Sequence, residues 1–442
     1  MTKEEMSFVY IKTFGCQMNE YDSQLMSGLL RQKGYKITQD SREADLILVN
    51  TCYVREKVKN KVYSLLGKLR KLKVQKPHLI LGIWGCLVQK EPEEMLRRAP
   101  YLDVILGTHN FYRLPQFLDE VREKRKRIIS VDSQGIIPEG LPVLRENYFA
   151  TYVPVIRGCD NFCTYCNVPY VRGRERSRLP SYIKEEVHQL AEEGYLEITL
   201  LGQNVNSYGR DLNDGIDFPY LLEEVSRVKG IKRIRFLTSH PRDLSDELIE
   251  KMAELEKVCP HLHLPLQSGS NYVLQQMGRG YRREEYLRLV EKVRQAIPGI
   301  SLTTDIIVGF PGERERDFED TLEMLKTVKF DGSFTFIYSS LKGTRAAKFN
   351  GHIPAPISGA RLRKLIELQR QITQENNKSL VGQSREVLVE GPSPKDPQEL
   401  QGRTTTNKVI IFQGEKELIG HLVRVEVLQS GCWASRGRKL KC

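Results

Sequence analysis

The sequence predicts an α/β protein in three parts: an N-terminal parallel α/β sheet domain over residues 7–122, a central six-stranded partial (β/α) barrel over 147–377, and a small antiparallel β-barrel over 378–441, with 123–146 as a linker. Two observations predict it. Short apolar runs alternate with amphipathic stretches through the first two parts, the pattern of a parallel sheet with helices on its faces. After about residue 378 the runs become short, β-branched and separated by glycine-containing turns, which suits a small barrel.

In the first part FVYIKTF at 8–14, DLILVNT at 45–51, LILGIW at 79–84 and DVILGT at 103–108 read as strands, and the stretches between them as helices. Ligands of such sheets gather beyond the carboxyl ends of the strands. Cys16, Cys52 and Cys86 each lie one or two residues past a predicted strand, so three thiols far apart in the chain should meet on one edge. The linker opens on a basic run and carries glycine and proline punctuation. In the second part TYVPVIR at 151–157, LEITLL at 196–201, IKRIRFL at 231–237, HLHLPL at 261–266, SLTTDIIV at 301–308 and GSFTFIY at 332–338 read as strands. Six such repeats predict a full or partial TIM-type barrel with its active site at the carboxyl ends of the strands. In the third part REVLVEG, NKVIIFQG and LIGHLVRVEVLQ read as strands. Arg403, Lys408, Arg424, Arg436, Arg438 and Lys439 would line one face of that barrel or form an ordinary solvated surface.

The 442 residues leave room for several domains, each with its own core. No run approaches the roughly 18 to 20 apolar residues of a membrane span, and MTKEEMSFVY lacks the basic-then-apolar order of a signal peptide. A cytoplasmic enzyme with no membrane partner is expected. Lysine and arginine outnumber aspartate and glutamate by 68 to 56, which favours a polyanionic partner such as nucleic acid. Nine cysteines, an odd number, without a secretory signal point to metal or redox chemistry rather than disulfides.

Gly158-Cys159-Asp160-Asn161-Phe162-Cys163-Thr164-Tyr165-Cys166 puts three thiols on one tight loop. An ordinary iron–sulfur cluster takes four thiolates, so three leave one iron open. A zinc knuckle is the alternative, but it needs a fourth Cys or His nearby, and none follows closely. The CxxxCxxC spacing, with aromatic Tyr165 before the third cysteine, resembles the radical S-adenosylmethionine superfamily. There the open iron chelates the amino and carboxylate groups of S-adenosylmethionine. The resemblance places Gly202, Gln203 and Asn204 at the cofactor's methionine amine, although the usual Gly-Gly-Glu is replaced, and the run Asp305 to Glu313, with Gly309, beside the adenine. Each glycine by itself is also an ordinary turn residue.

TFGCQMNEYDS at 13–23, NTCYVREK at 50–57, GCDNFCTYCNVPYVRGRERSR at 158–178, LGQNVNSYG at 201–209, LTSHP at 237–241, LHLPLQSGS at 262–270, TDIIVGFPGE at 304–313 and GRTTTNK at 402–408 extend the resemblance over nearly the whole chain. Together they resemble the methylthiotransferase family, with a C-terminal TRAM domain, and within it the bacterial MiaB branch, which modifies isopentenyladenosine beside the tRNA anticodon. Sister branches act on threonylcarbamoyl adenosine or on a ribosomal protein aspartate.

The resemblance implies two 4Fe–4S clusters. Cys159, Cys163 and Cys166 would hold the radical cluster, and Cys16, Cys52 and Cys86 a second one where sulfur is methylated and delivered to carbon 2 of the adenine. It also implies a tRNA anticodon stem-loop as substrate and a reductant such as flavodoxin or ferredoxin; the sulfur donor is not implied. Arg172, Arg174 and Arg176, with Arg178 behind them, follow the cluster loop closely enough to meet phosphates, as would Arg403 and Lys408; a solvated arginine face is the competing reading. Asn167 departs from the family, where an apolar residue such as isoleucine is commoner. Cys259, Cys432 and Cys442 match no ligand position. Outside this chemistry the sequence also admits an iron–sulfur RNA-binding protein without catalysis or an electron-transfer protein. The want of a fourth local cysteine at either triad argues against a closed structural cluster, and the TRAM-like tail has no purpose in electron transfer.

Overall fold

The computed structural model describes residues 7–53, 56–124, 126–133, 135, 137–212 and 215–440. Val54 and Arg55 of the second motif, and Cys442, lie outside the described residues.

Strands β1 (Phe8–Thr13), β2 (Lys36–Ile37), β3 (Leu46–Thr51), β4 (Ile80–Gly85), β5 (Val104–Leu106) and β6 (Ile128–Ser130) form a parallel sheet in the order β2-β1-β3-β4-β5-β6. β3 and β4 are buried along their whole length because helices cover both faces of the sheet. Helices α1 (Gln17–Gln32) and α5 (Leu114–Lys124) pack one face through Leu25, Met26, Leu30 and Leu118. The other face takes α2 (Glu56–Gln75), α3 (Cys86–Lys90) and α4 (Pro92–Arg98), through Val62, Leu66, Leu87 and Met95.

The stretch expected to be a linker is partly structural. Ile128–Ser130 adds a sixth strand beside β5, a three-residue run too short to stand out after EKRKR. Further on, the Leu144 amide donates to the Gln24 carbonyl, so this segment is laid along α1.

In the second part β7 (Ala150–Pro154), β10 (Glu197–Leu201), β11 (Arg233–Phe236), β12 (His261–His263), β13 (Ser301–Val308) and β14 (Gly332–Ile337) are the six expected parallel strands. They stand in two arcs, β11-β10-β7 and β12-β13-β14, joined by a parallel bridge from Ile234 to Val258. β7 and β14 do not pair among the described residues, so the barrel is partial. Between β7 and β10 two short strands, β8 (Ile156–Arg157) and β9 (Arg176–Ser177), pair antiparallel and pinch off the loop that carries Cys159, Cys163 and Cys166. Helix α6 (Val168–Val171) lies inside that loop, and α7 (Pro180–Glu192), α8 (Phe218–Ser226), α9 (Asp246–Glu254), α10 (Asn271–Met277), α11 (Arg283–Ala296), α12 (Glu315–Val328) and α13 (Ala355–Lys378) complete the unit. Ile198, Leu200, Ile234, Leu262 and Ile306 of the strands meet Leu190, Leu222 and Leu325 of the helices in one core.

In the third part β15 (Ser384–Pro392), β16 (Glu399–Thr404), β17 (Val409–Gln413), β18 (Leu422–Gln429) and β19 (Ser435–Lys439) close a barrel in the order β15-β16-β17-β19-β18. It is not wholly antiparallel, as expected from sequence: β17 and β19 pair parallel. β19, SRGRK, has no apolar residue, and the barrel closes on its backbone hydrogen bonds, which no apolar pattern announces.

The C-terminal barrel is docked through polar contacts. Arg235 donates to the Thr404 and Thr405 carbonyls at 2.7 and 3.0 Å, Arg233 to the Arg403 carbonyl at 2.9 Å, and Lys408 pairs with Asp331 at 2.6 Å. At the other end Val171 and Leu341 of the central unit insert into the core beneath the N-terminal sheet.

Candidate iron–sulfur centres

Cys16 is the N-cap of α1, three residues past β1; Cys52 follows β3 directly and Cys86 opens α3 directly after β4. β1, β3 and β4 are neighbours in the sheet and point the same way, so the three thiols lie at adjacent strand ends on one edge. Gly85 makes this possible. Its φ is +106°, and a Cβ there would stand 2.4 Å from the Thr51 carbonyl oxygen, so only glycine lets β4 turn this close over the end of β3. Cys52 and Cys86 are buried and Cys16 is exposed. Asn19, fully buried, donates to Asn50 Oδ1 at 2.9 Å and to the Thr51 carbonyl at 3.0 Å, and accepts from Cys16 Sγ at 3.5 Å, fastening the helix start to the end of β3.

Cys159, Cys163 and Cys166 occupy the loop past β7 at the mouth of the central barrel. Gly158 (φ +83°) sits where a Cβ would lie 2.0 Å from the Arg174 carbonyl oxygen, so the two ends of the loop touch through a residue that must be glycine. Burial pushes the Cys159 thiol up to about 11 and the Cys166 thiol up to about 12. Iron binding must therefore displace their protons. Arg279, buried, donates to Cys163 Sγ at 3.4 Å and to the Pro265 carbonyl at 3.0 Å.

The donor sets fit iron–sulfur clusters. The N-terminal site offers two buried thiols and exposed Cys16, the barrel loop one buried and two half-buried thiols, and each has a buried guanidinium beside it, Arg172 or Arg279, an environment suited to an anionic group. Among the described residues no three His, Cys, Asp or Glu converge on a single ion. A four-iron cubane spreads its thiolates more widely than one ion does.

The other expected site residues divide. Gly202, Gln203 and Asn204 follow β10 at the same mouth. The Gln203 Oε1 accepts from the Gly158 amide at 2.6 Å, and buried Asn204 donates to Asp243 at 2.7 Å. Tyr165 packs with Val273, Met277 and Phe310. Gly309 follows β13; its amide donates to Glu313 Oε2 at 2.7 Å, and the space a Cβ would need is taken by Ser358 of α13. Asn167 is buried with both amide atoms unpartnered. Cys259 is buried beside β11, its amide donating to the Ile234 carbonyl, and Cys432 lies against α13 at the Arg370 carbonyl.

The arginine run does not present one face. Arg172 is buried against Asp22, at 2.7 Å, and Arg178 is held by Glu139, Glu186 and the Pro154 carbonyl. Arg174 is exposed on Asp160, and Arg176 is exposed with one donation to the Gly135 carbonyl. A continuous strand would put these four alternate residues on one face, but β9 covers only Arg176 and Ser177, and the two outer members, Arg172 and Arg178, turn inward to their carboxylates. Of the C-terminal cations, Lys408 is consumed by Asp331 at the domain junction, whereas Arg403 stays partly exposed on Glu390.

Sequence reasoning missed Asn19, Asp22 and Arg279, and the left-handed backbone of Thr238 and Gln267 (φ +69° and +70°) past β11 and β12. The first two stood within TFGCQMNEYDS and the last two within LTSHP and LHLPLQSGS. Strained residues of this kind cluster at functional mouths.

A three-cysteine loop at the open mouth of a partial parallel barrel defines a radical S-adenosylmethionine enzyme. Residues 153–325 match the radical SAM superfamily, 8–107 the uncharacterized protein family UPF0004, and 378–440 the TRAM domain. The chain is 52% identical over 99% of both chains to a tRNA-2-methylthio-N(6)-dimethylallyladenosine synthase of Moorella thermoacetica. It is 50% identical to that of Carboxydothermus hydrogenoformans, over 95% of this chain and 96% of the relative. The chain belongs to this family of radical SAM methylthiotransferases, and an iron–sulfur cluster and S-adenosylmethionine follow from that membership. Among solved structures the fold is similar to the radical S-adenosylmethionine methyltransferase TsrM of Kitasatospora setae (TM-score 0.55, 14% identity, 75% of each chain). It is also similar to the cobalamin-dependent radical enzyme OxsB (TM-score 0.51, 14% identity, 83% of this chain and 58% of that one). No described helix is long and apolar enough to cross a membrane.

Proposed function

We propose that the chain attaches a methylthio group to carbon 2 of N6-dimethylallyladenosine beside the anticodon of tRNA, using two 4Fe–4S clusters and S-adenosylmethionine. The observation that carries this reading is the pair of cysteine triads, each at the carboxyl ends of parallel strands, in a chain that matches its named relatives from end to end. Cys159, Cys163 and Cys166 hold one cluster and Cys16, Cys52 and Cys86 the other. When bound, the first cluster and S-adenosylmethionine supply a radical able to take hydrogen from an unactivated carbon, and the second supplies an iron site for the sulfur to be methylated.

The chain's own residues position and shield these groups. Gln203 pins the start of the cluster loop, and Gly202, Asn204, Tyr165 and Gly309 border the space for S-adenosylmethionine. Arg174, Arg176 and Arg403 are the exposed cations offered to tRNA phosphates, which position the substrate without reading its sequence. An unpaired anticodon-loop base can be splayed into the barrel mouth at less cost than a paired one. The reductant is a small electron carrier such as flavodoxin or ferredoxin.

The test is mass spectrometry of tRNA nucleosides from a strain lacking the gene. The 2-methylthio derivative of N6-isopentenyladenosine should vanish and the unthiolated nucleoside accumulate, with recovery on complementation. Unchanged nucleosides, or loss of a methylthio group from threonylcarbamoyl adenosine instead, would overturn the substrate assignment.

A further inference from the structure

Asp22 lies on α1, six residues past Cys16, and its side chain is 3% exposed. Two guanidiniums clasp it: Arg157 Nη1 at 2.9 Å from Oδ1 and Arg172 Nη1 at 2.7 Å from Oδ2. Arg172, itself 5% exposed, also donates through Nη2 to Asn19 Oδ1 at 3.0 Å, the atom that accepts from Cys16 Sγ. Arg157 stands two residues before Cys159 and Arg172 six after Cys166, so one carboxylate of the N-terminal domain holds both ends of the radical loop. Burial works against the charge of Asp22, yet the two arginines outweigh it and keep the carboxyl below its ordinary range. Arg172 also stands beside the Cys86 side chain.

The charges of the clasp do not cancel. Two guanidiniums against one carboxylate leave one positive charge unmatched, and neighbouring Arg178 and Arg145 are already matched by Glu139 and Glu186. Arg157 is partly exposed, whereas Arg172 is buried and shares its carboxylate, and an incompletely matched buried charge is costly and calls for a counter-ion. A 4Fe–4S core held by three thiolates is, in its oxidised form, a net anion of about one unit charge.

We propose that Arg172 is a positioning residue for the N-terminal cluster: shared through Asp22 with Arg157, it supplies the counter-charge that raises that cluster's reduction potential and ties it to the radical loop. This rests on reading Cys16, Cys52 and Cys86 as a cluster site. One-electron reduction adds a negative charge to the cluster, so the fixed cation favours the reduced form, whereas Asp22 disfavours it.

The experiment uses the full-length chain with Cys159, Cys163 and Cys166 replaced by alanine, reconstituted anaerobically with ferrous iron and sulfide and titrated with dithionite under EPR. The parent should hold about four irons. Arg172→Met should disfavour reduction at least tenfold, a downward midpoint shift of about 59 mV for one electron. Arg172→Lys, which keeps the charge, should recover most of it, and Asp22→Asn should shift the midpoint upward. A purely structural role would move Arg172→Met and Asp22→Asn the same way or not at all, and either result overturns the proposal. If Arg172→Met takes up no iron, Asp22→Asn decides: a raised midpoint supports the proposal and an unchanged one sinks it. A parent that takes up no iron removes the cluster reading and the proposal with it, whereas a parent with a cluster insensitive to both charges removes the proposal alone.

Discussion

Arg235→Met should loosen the C-terminal barrel from the central one without touching either cysteine triad. The Arg235 side chain is 6% exposed and makes three bonds: to Glu197 Oε1 at 2.9 Å, to the Thr404 carbonyl at 2.7 Å and to the Thr405 carbonyl at 3.0 Å. Methionine keeps much of the apolar stem and removes the charge. Hydrogen bonds to charged groups are worth about 1.5–3 kcal/mol each, and stripping one partner from a buried ion pair costs about 3–5 kcal/mol. These costs overlap, since Glu197 keeps Arg233 at 3.7 Å, so the domain junction should lose about 3–5 kcal/mol, more than a hundredfold in its docking equilibrium. Hydrogen exchange reads this directly. Amides of β16 and of the 404–407 turn should lose protection by at least a hundredfold, while those of β10 and β13 hold theirs. Binding of tRNA should weaken, and deoxyadenosine production from S-adenosylmethionine should persist. Protection of the 404–407 turn within tenfold of wild type would refute the reasoning, because it would mean that Lys408 and Arg233 hold the domain unaided.

Replacing Cys16, Cys52 and Cys86 together by alanine should leave about four of about eight irons per chain and abolish methylthio transfer, while dithionite-driven deoxyadenosine formation continues; normal tRNA product from this variant would make the N-terminal thiols structural. Gly85→Ala should destabilise the N-terminal domain by about 2 kcal/mol or more, from left-handed strain and the collision with Thr51, seen as a lowered first unfolding transition and loss of the N-terminal cluster's iron. Asn167→Ile should raise stability by about 1 kcal/mol, because it removes a buried amide with neither atom bonded; a lowered Tm would mean that the amide is partnered or that isoleucine does not fit.

Much of the architecture could be read along the chain because it is written in local pattern. Ten strands of the two parallel units show as apolar or alternating runs, most plainly β3 and β4, which are covered on both faces and buried along their length. What escaped were strands too short or too polar to stand out as an apolar run. β6 hides behind a basic run, β19 has none to show, and its parallel pairing with β17 depends on how the barrel closes.

The arginines were the harder matter. Arg172, Arg174, Arg176 and Arg178 are alike in sequence, and spacing alone made them a single phosphate-facing run. The fold sends Arg172 and Arg178 inward to Asp22, Glu139 and Glu186 and leaves Arg174 and Arg176 outside. The partner of Arg172 is 150 residues away. Lys408 was lost to Asp331 for the same reason, at a separation of 77 residues.

By itself, then, the sequence determined the three-part α/β organisation, the two cysteine triads and their places past strand ends, because apolar period and thiol spacing are properties of neighbours in the chain. Only the tertiary structure decided which cations are available to a polyanion and which are bound into the core. A buried charge is tolerated only where a partner stands within a few ångströms, and distant segments become neighbours only when the domains dock.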